Sequence, residues 1–310
     1  MADSNMQLQW TDDQWNKVRQ VVYEEARGAR VAGNVLPLYG PLDPDATYVT
    51  RESLVEPNRV SDQGDSVPAF TVADTDTLKL STLQVKVYLK GAQVADPELT
   101  SALIAFRRAA NVLARLEDDI IFNGQRAPNE GPKHAGQPIG PDAKELWEVR
   151  GGEATDGLLP APPQPIKPQP RGKLPLFKDL ADKGEALVSA VSNAVGTLED
   201  NYHLGPFACV LDQVYFTAAQ TPNRSSLVLP QDRILPFLGG GTLVRSSTLR
   251  PKTGVVIALG GAPIDLVVGT DICVSFLQVT THPWFVFRVY EKIVLRIKQP
   301  EAIHVLPPDL

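Results

Sequence analysis

Cysteine is nearly absent from this chain. Cys209 and Cys273 each sit inside an apolar run, FACVL and ICVSF, and no C-x-x-C occurs. They read as buried thiols of a reducing cytoplasm, not as a disulfide framework or a redox pair. Histidine is scarce too. His134, His203, His282 and His304 are scattered, with no H-x-x-x-H or H-E-x-x-H spacing, so a sequence-local zinc site has no support. There is no basic surplus: the net charge is -6. That argues against nucleic acid as the main partner, because phosphate binding wants excess lysine and arginine. No apolar run approaches the roughly 18 residues that a membrane helix needs. The opening MADSNMQLQW has neither a basic nor an apolar leader region. The expectation is a cytoplasmic protein with no membrane partner. No G-x-S-x-G elbow occurs, and Gly239-Gly240-Gly241 lacks the G-K-[ST] ending of a phosphate loop. Asn223-Arg224-Ser225 matches a glycosylation sequon but has no secretory context.

What is present is ordinary globular material: 43% hydrophobic and 21% charged residues, enough chain for one large domain or two smaller ones. WTDDQW carries a capping box, Thr11 with Gln14, flanked by a Trp10–Trp15 staple. Trp15, Val18, Val22 and Ala26 continue at helical spacing to about Gly28. VAGNVLPLYGPLD reads as turn, extended piece and turn. Residues 46–80 alternate weakly and hold few large apolar residues, so they predict a two-stranded excursion that needs an outside partner. LQVKVYLK is a clean strand. DPELTSALIAFRRAANVLARLEDDIIFNG predicts a spine helix capped by Asp96, with Pro97 at its first position and a stop at Asn123-Gly124. Residues 125–176 read as turns followed by a seven-proline connector. Leu176–Asn201 predicts a second long helix. FACVLD, QVYFTAAQ, RILPFLGGGTLVRSS, VVIALGG, IDLVVGTDICVSFLQVT and FVFRVYEKIVLRIK follow as short elements and then alternating strands. The class is α+β.

LEDDIIFNG, residues 116–124, places Glu117, Asp118 and Asp119 in a row. Such a triplet is either a metal or acid–base site or the solvated end of a structural helix. On a helix the three fan out over about 200° and do not converge on one ion. That favours a structural or subunit-contact role, with Arg107, Arg108 and Arg115 as possible partners.

Several stretches resemble the encapsulins, bacterial shell proteins with the Hong Kong 97-type phage capsid fold. TDDQWNKVRQVVYEEARG resembles the family's lumenal helix, VLPLYGPLD its following turn and LEDDIIFNG the end of its spine helix. GPFACVLD, GTDICVSFL and FRVYEKIVLRIKQPEAIHVL resemble later strands, in the family's order. The likeness spans nearly everything outside 125–176. It implies an α+β Hong Kong 97-type phage major capsid fold with peripheral domain, axial domain and extended loop. The implied division runs as follows: 1–45 lumenal helix and start of the peripheral domain, 46–80 extended loop, 81–124 peripheral domain with spine helix, 125–176 insertion, 177–262 axial domain, and 263–310 closing strands of the peripheral domain.

The resemblance also implies a function without catalysis. The chain would self-assemble into an icosahedral shell around a cargo enzyme, ferritin-like (hence iron storage) or peroxidase-type, docked by a short targeting peptide. The implied docking pocket joins Val22 and Ala26 to Val35, Leu36 and Leu38 and to Ile272 and Val274. The implied five-fold pore is lined by Gln220, Thr221, Pro222, Asn223, Arg224 and Ser225. The sequence departs from the family at two places. KGAQVADP lacks the tryptophan that some members use for flavin, so no cofactor is expected. Gly33 and Pro37 stand where an arginine and an aspartate are common. The alternatives are a prophage major capsid protein, which usually begins with a long cleaved segment, and a soluble enzyme such as a protease.

Overall fold

Thr11 starts the first helix in the way its capping box predicts. Its hydroxyl accepts from the Gln14 amide at 3.3 Å, and the Gln14 side chain accepts from the Thr11 amide at 3.0 Å. Helix α1 (Asp12–Ala29) follows, with Val18, Val22 and Ala26 buried. Trp10 meets Trp15 edge-on with ring centroids 5.1 Å apart, which closes the staple. The computed structural model describes residues 8–62, 65–132, 146–160, 177–222, 228–308 and 310.

In the next stretch the expected extended piece is present, and a short helix replaces the first turn. The stretch holds a four-residue helix, α2 (Ala32–Val35), and a two-residue strand, β1 (Leu38–Tyr39). The cause is distant in sequence: the Asp118 carboxylate accepts from the Val31 and Ala32 amides and so starts α2. The excursion at 46–80 takes its expected form. Strand β2 (Tyr48–Thr50) pairs with β5 (Thr77–Lys79), and between them β3 (Ser53–Asp62) pairs with β4 (Asp65–Ala73). The β3–β4 pair is a sheet by itself. At about 3.3 Å per residue it reaches roughly 30 Å.

Strand β6 (Ser81–Lys90) leads through the short α3 (Gly91–Val94) to the spine helix α4 (Thr100–Asn123). The spine begins later than Asp96-Pro97 suggests. Asp96 accepts from the amides of Glu98 and Thr100, and Leu99 between them is left-handed at φ 54°. The predicted stop holds: Gly124 takes φ 79°, which glycine adopts without strain. At about 1.5 Å per residue the rod is roughly 36 Å long.

Residues 125–176 are not only turns. Strand β7 (Trp147–Gly151) pairs antiparallel with β6, and Val149, Leu158 and Leu159 are buried. The surrounding glycines and prolines conceal the strand from any periodicity reading. The proline run at 161–176 lies outside the described residues. The chain continues with α5 (Phe177–Asp200), β8 (Phe207–Leu211), α6 (Gln213–Ala219), α7 (Pro230–Ile234), β9 (Leu243–Arg245) and β10 (Gly254–Ala258). It ends with β11 (Ile264–Val279), β12 (Trp284–Ile297) and β13 (Ile303–Val305).

Two sheets organise these elements. The first has the order β1-β11-β12-β6-β7; the second is β13-β10-β8-β9. The closing stretch is therefore split: β11 and β12 belong to the first sheet, whereas β13 pairs with β10 in the second. Tyr215 on α6 secures that end, donating to the Pro307 carbonyl at 2.6 Å. Helices α1 and α4 cover one face of the first sheet. Trp10, Phe106 and Phe287 interlock there, with Trp10 stacked on Phe287 at 4.8 Å. The other face carries a small cluster of Leu78, Leu80, Val267 and Val294 under β2 and β5.

On that second face Arg296 is buried at 1% exposure. Its guanidinium grips Asp265, its register partner, through two bonds of 2.8 and 2.7 Å. It also donates to the Thr50 carbonyl at 3.3 Å and to Glu52 at 3.2 Å, and it stacks over Tyr39. Arg296 thus roots the β3–β4 excursion on the main sheet. Asp265→Ala should destabilise the chain by about 3 kcal/mol, because it leaves a buried guanidinium short of its main counter-ion while Glu52 still contacts it. Urea denaturation checks this; a change below about 0.5 kcal/mol contradicts the anchoring role.

Candidate functional site

The acidic end of α4 is not solvated. Glu117 and Asp118 are buried and Asp119 is half-buried, which corrects the expectation of a wet helix end. The fan predicted from helix geometry is present, and each carboxyl meets a different part of the fold. Asp118 holds the Val31 and Ala32 amides at 2.9 and 2.7 Å. Asp119 accepts from Asn123, whose amide also donates to the Thr248 carbonyl next to the second sheet. Glu117 faces Arg30 at the end of α1, with 3.9 Å between charged atoms, and lies near Glu291 on β12 and Asp271 on β11. Arg30 in turn contacts Asp271 at 3.4 Å. Arg107 and Arg108 are exposed and play no part; Arg115 stabilises the charged forms of Asp118 and Asp119.

Burial pushes these carboxyls upward: Glu117 to about 8, Asp118 to about 7 and Asp119 to about 7. Burial, followed by the nearby Glu117, holds Glu291 well above the ordinary range. Gly33 matters at this point. A Cβ on it would sit 2.6 Å from a Glu117 carboxyl oxygen and 3.0 Å from the Arg30 side chain. Glycine here lets α2 close over the cluster. Arg30, Asp271 and Glu291 were not singled out by sequence reasoning. Glu291 did leave a signal: it stands at an inward position of β12, between Val289 and Ile293.

Of the seven residues expected to form a peptide pocket, five are interior. Val22, Ala26, Leu36, Ile272 and Val274 are buried in one continuous core, and Val35 is half-buried against it. Leu38 alone is open, at 53% exposure, on the edge strand β1. The concave surface nearby is a cleft of about 640 Å³ between α1 and α4, lined by Val21, Glu24, Glu25, Ala29, Arg107 and Asn111. Asn111 donates to Glu25 across it at 2.6 Å. In the predicted pore loop, Gln220 closes α6 and bonds Gln231, Thr221 is buried with its hydroxyl on the Thr217 carbonyl, and Pro222 follows. Asn223, Arg224 and Ser225 lie outside the described residues. Cys209 is buried as expected, whereas Cys273 is half-exposed. Among the described residues no helix is long and apolar enough to cross a membrane, and no cluster of histidine, cysteine and carboxylate side chains is placed to hold a metal ion.

The chain matches the family model described as encapsulating protein for peroxidase over residues 5–131 and 165–294. The interval between those matches falls within 125–176, where the encapsulin likeness lapses. The type 1 encapsulin shell protein EncA of Myxococcus xanthus is 26% identical over 95% of this chain and 92% of its own length. Among solved structures, the virus-like particle from Pyrococcus furiosus superposes with a TM-score of 0.61 at 16% identity, covering 94% of this chain and 99% of the other. The capsid of the Myoviridae phage XM1 gives 0.54 at 13% identity over 88% and 89%. Those two likenesses concern the fold, and they agree with the layers described above. Together, the length of the family match and the capsid-like architecture show that this chain belongs to the encapsulin family of shell proteins, with a Hong Kong 97-type phage capsid fold.

Proposed function

We propose that copies of this chain assemble into a closed icosahedral compartment in the cytoplasm and enclose an enzyme. The observation that carries this reading is the β3–β4 hairpin, which forms a two-stranded sheet apart from the others. A two-stranded pair standing alone in water is marginal. A neighbouring subunit gives it a surface to lie on. In this reading the first sheet with α1 and α4 is the peripheral domain, the second sheet with α5–α7 is the axial domain, and β2–β5 form the extended loop. The enclosed enzyme is of peroxidase or ferritin-like type, and the shell itself does no chemistry.

The cargo is held by a short apolar peptide on the inner wall. The buried members of the expected pocket form the core of that wall, so contact falls on Leu38, Val35 and the cleft between α1 and α4. One peptide binds weakly because its own ordering costs entropy. Many copies inside one shell raise the effective concentration. In this reading the expected segment, Gln220, Thr221, Pro222, Asn223, Arg224 and Ser225, lines the five-fold opening, and a ring of Arg224 charges favours anions. The second reading, a phage capsid, rests on the likeness to the XM1 capsid and differs in what it encloses.

Purified protein should sediment as closed particles that lack DNA. Monomers under several mild conditions would sink the compartment reading, and packaged DNA would favour the phage reading. Leu38→Asp and Val21→Asp should leave particles intact and reduce co-purified cargo at least severalfold on gels. Full loading in both variants removes this docking surface. Val22→Asp is a different case, because it places a charge in the core and should prevent folding. Arg224→Glu should slow an enclosed enzyme on anionic substrates relative to cationic ones; equal rates for both would point to another opening.

A further inference from the structure

We propose that Glu117 and Glu291 form a proton-binding site beneath the α1–α2 turn, sharing one proton that latches this turn to the spine helix and the first sheet. The site is geometric before it is electrostatic. Glu117 is 0% exposed and Glu291 is 1% exposed, and they come from elements far apart in sequence, α4 and β12. Neither oxygen of Glu117 meets a hydrogen-bond donor, and one oxygen of Glu291 is also without one. Two ionised carboxylates offer only acceptors to each other. A proton on either converts it into a donor facing its neighbour, and so supplies the bond that both lack.

The surrounding charges cannot do this alone. Among the described residues, Arg30, from the end of α1, is the cation in contact with Glu117, and it divides its contacts between Glu117 at 3.9 Å and the half-exposed Asp271 of β11 at 3.4 Å. From α4 itself, Asp118 adds negative charge next to Glu117, and Arg115 acts on Asp118 and Asp119. Helix α2 contributes Gly33 and backbone only at this point. With both glutamates ionised, Glu117, Glu291 and Asp118 are three buried carboxylates beside the one guanidinium of Arg30, which the half-exposed Asp271 also draws on. One shared proton removes one of these uncompensated buried charges. Burial raises both carboxyls, Glu117 to about 8 and Glu291 well above the ordinary range, which agrees with a proton retained at neutral pH.

The sign of the pH effect follows. The folded chain holds the proton more tightly than the unfolded chain, where a glutamate titrates near about 4.3. The stabilisation is complete below that range and is lost as pH rises through about 8. Each proton so retained lowers the folding constant by up to about tenfold per pH unit across that window. The first segment to loosen is the one resting on the cluster, residues 30–36, which supports the inner helix α1.

The test uses the full chain as purified, in urea melts and hydrogen exchange at pH 6, 7, 8 and 9. The parent should lose stability across that range, with exchange rising first at 30–36. Glu291→Gln and Glu117→Gln each supply a neutral donor of the same shape, so they should fold and show a pH slope reduced by about the equivalent of one proton. Slopes equal to the parent in both variants overturn the proposal. Should either variant fail to fold, infrared spectra of the parent with carboxyl-labelled glutamate decide the matter, because Asp118 and Asp119 are then silent. A protonated glutamate band present at pH 7 and lost by pH 9 supports the shared proton; no such band at pH 7 overturns it.

Discussion

A helix that ends in three consecutive carboxyls inside a protein must find partners for all three, and much of this fold is arranged around that demand. Burying an unpaired carboxylate costs several kcal/mol. The end of α4 therefore cannot pack until other segments arrive. The start of α2 supplies backbone amides to Asp118. Arg30 and Glu291 close around Glu117. Asn123 links Asp119 to the Thr248 carbonyl and so to the second sheet. Because the triplet fans around the helix axis, it points at three structures at once. The spacing that argues against a metal site makes it an effective three-way joint.

A second polar anchor works on the opposite face of the same sheet. Arg296 and Asp265 face each other across β11 and β12, and Arg296 reaches out to Thr50 and Glu52 at the root of the hairpin. Bidentate geometry fixes direction as well as distance. The hairpin is thereby aimed by the sheet rather than left to swing from a flexible root. In a shell, where each subunit must meet its neighbours at set angles, a projecting strand pair is useful only if its direction is set. The two anchors divide the labour: one holds the turn from α1 to α2 on the spine helix, and the other aims the hairpin.

A shell subunit also explains what the chain lacks. The buried carboxyls Glu117, Asp118 and Glu291 are turned towards Arg30, the amides that start α2, and one another. The open concavity between α1 and α4 has carboxylates, an arginine and an amide on its walls, the features of a recognition surface. The exposed apolar side chains are spread over several edges, with Tyr88 on β6, Ile104 on α4, Tyr202 and Leu204 after α5, and Leu235 and Phe237 near the second sheet.

Much of this architecture was legible in the residues themselves. The capping box at Thr11, the glycine stop of α4, the alternation of β6 and β12 and the solitary hairpin are all local signals. Each depends on backbone geometry within a few residues, and each is present where the pattern puts it. The failures share one cause. Helix α2 exists because Asp118 caps it from a distant segment. Strand β7 exists because β6 offers it an edge, although its own residues are hidden among glycines and prolines. Five of the seven pocket residues are apolar both as core and as pocket wall, and only packing decides which. Glu117, identical in type to any exposed helical glutamate, becomes a buried proton site only when β12 brings Glu291 against it. Sequence determined where helices and strands begin, end and turn their apolar faces, because those depend on near neighbours. Tertiary structure decided which charges lose their water, because desolvation is set by whatever the rest of the chain places on top of them.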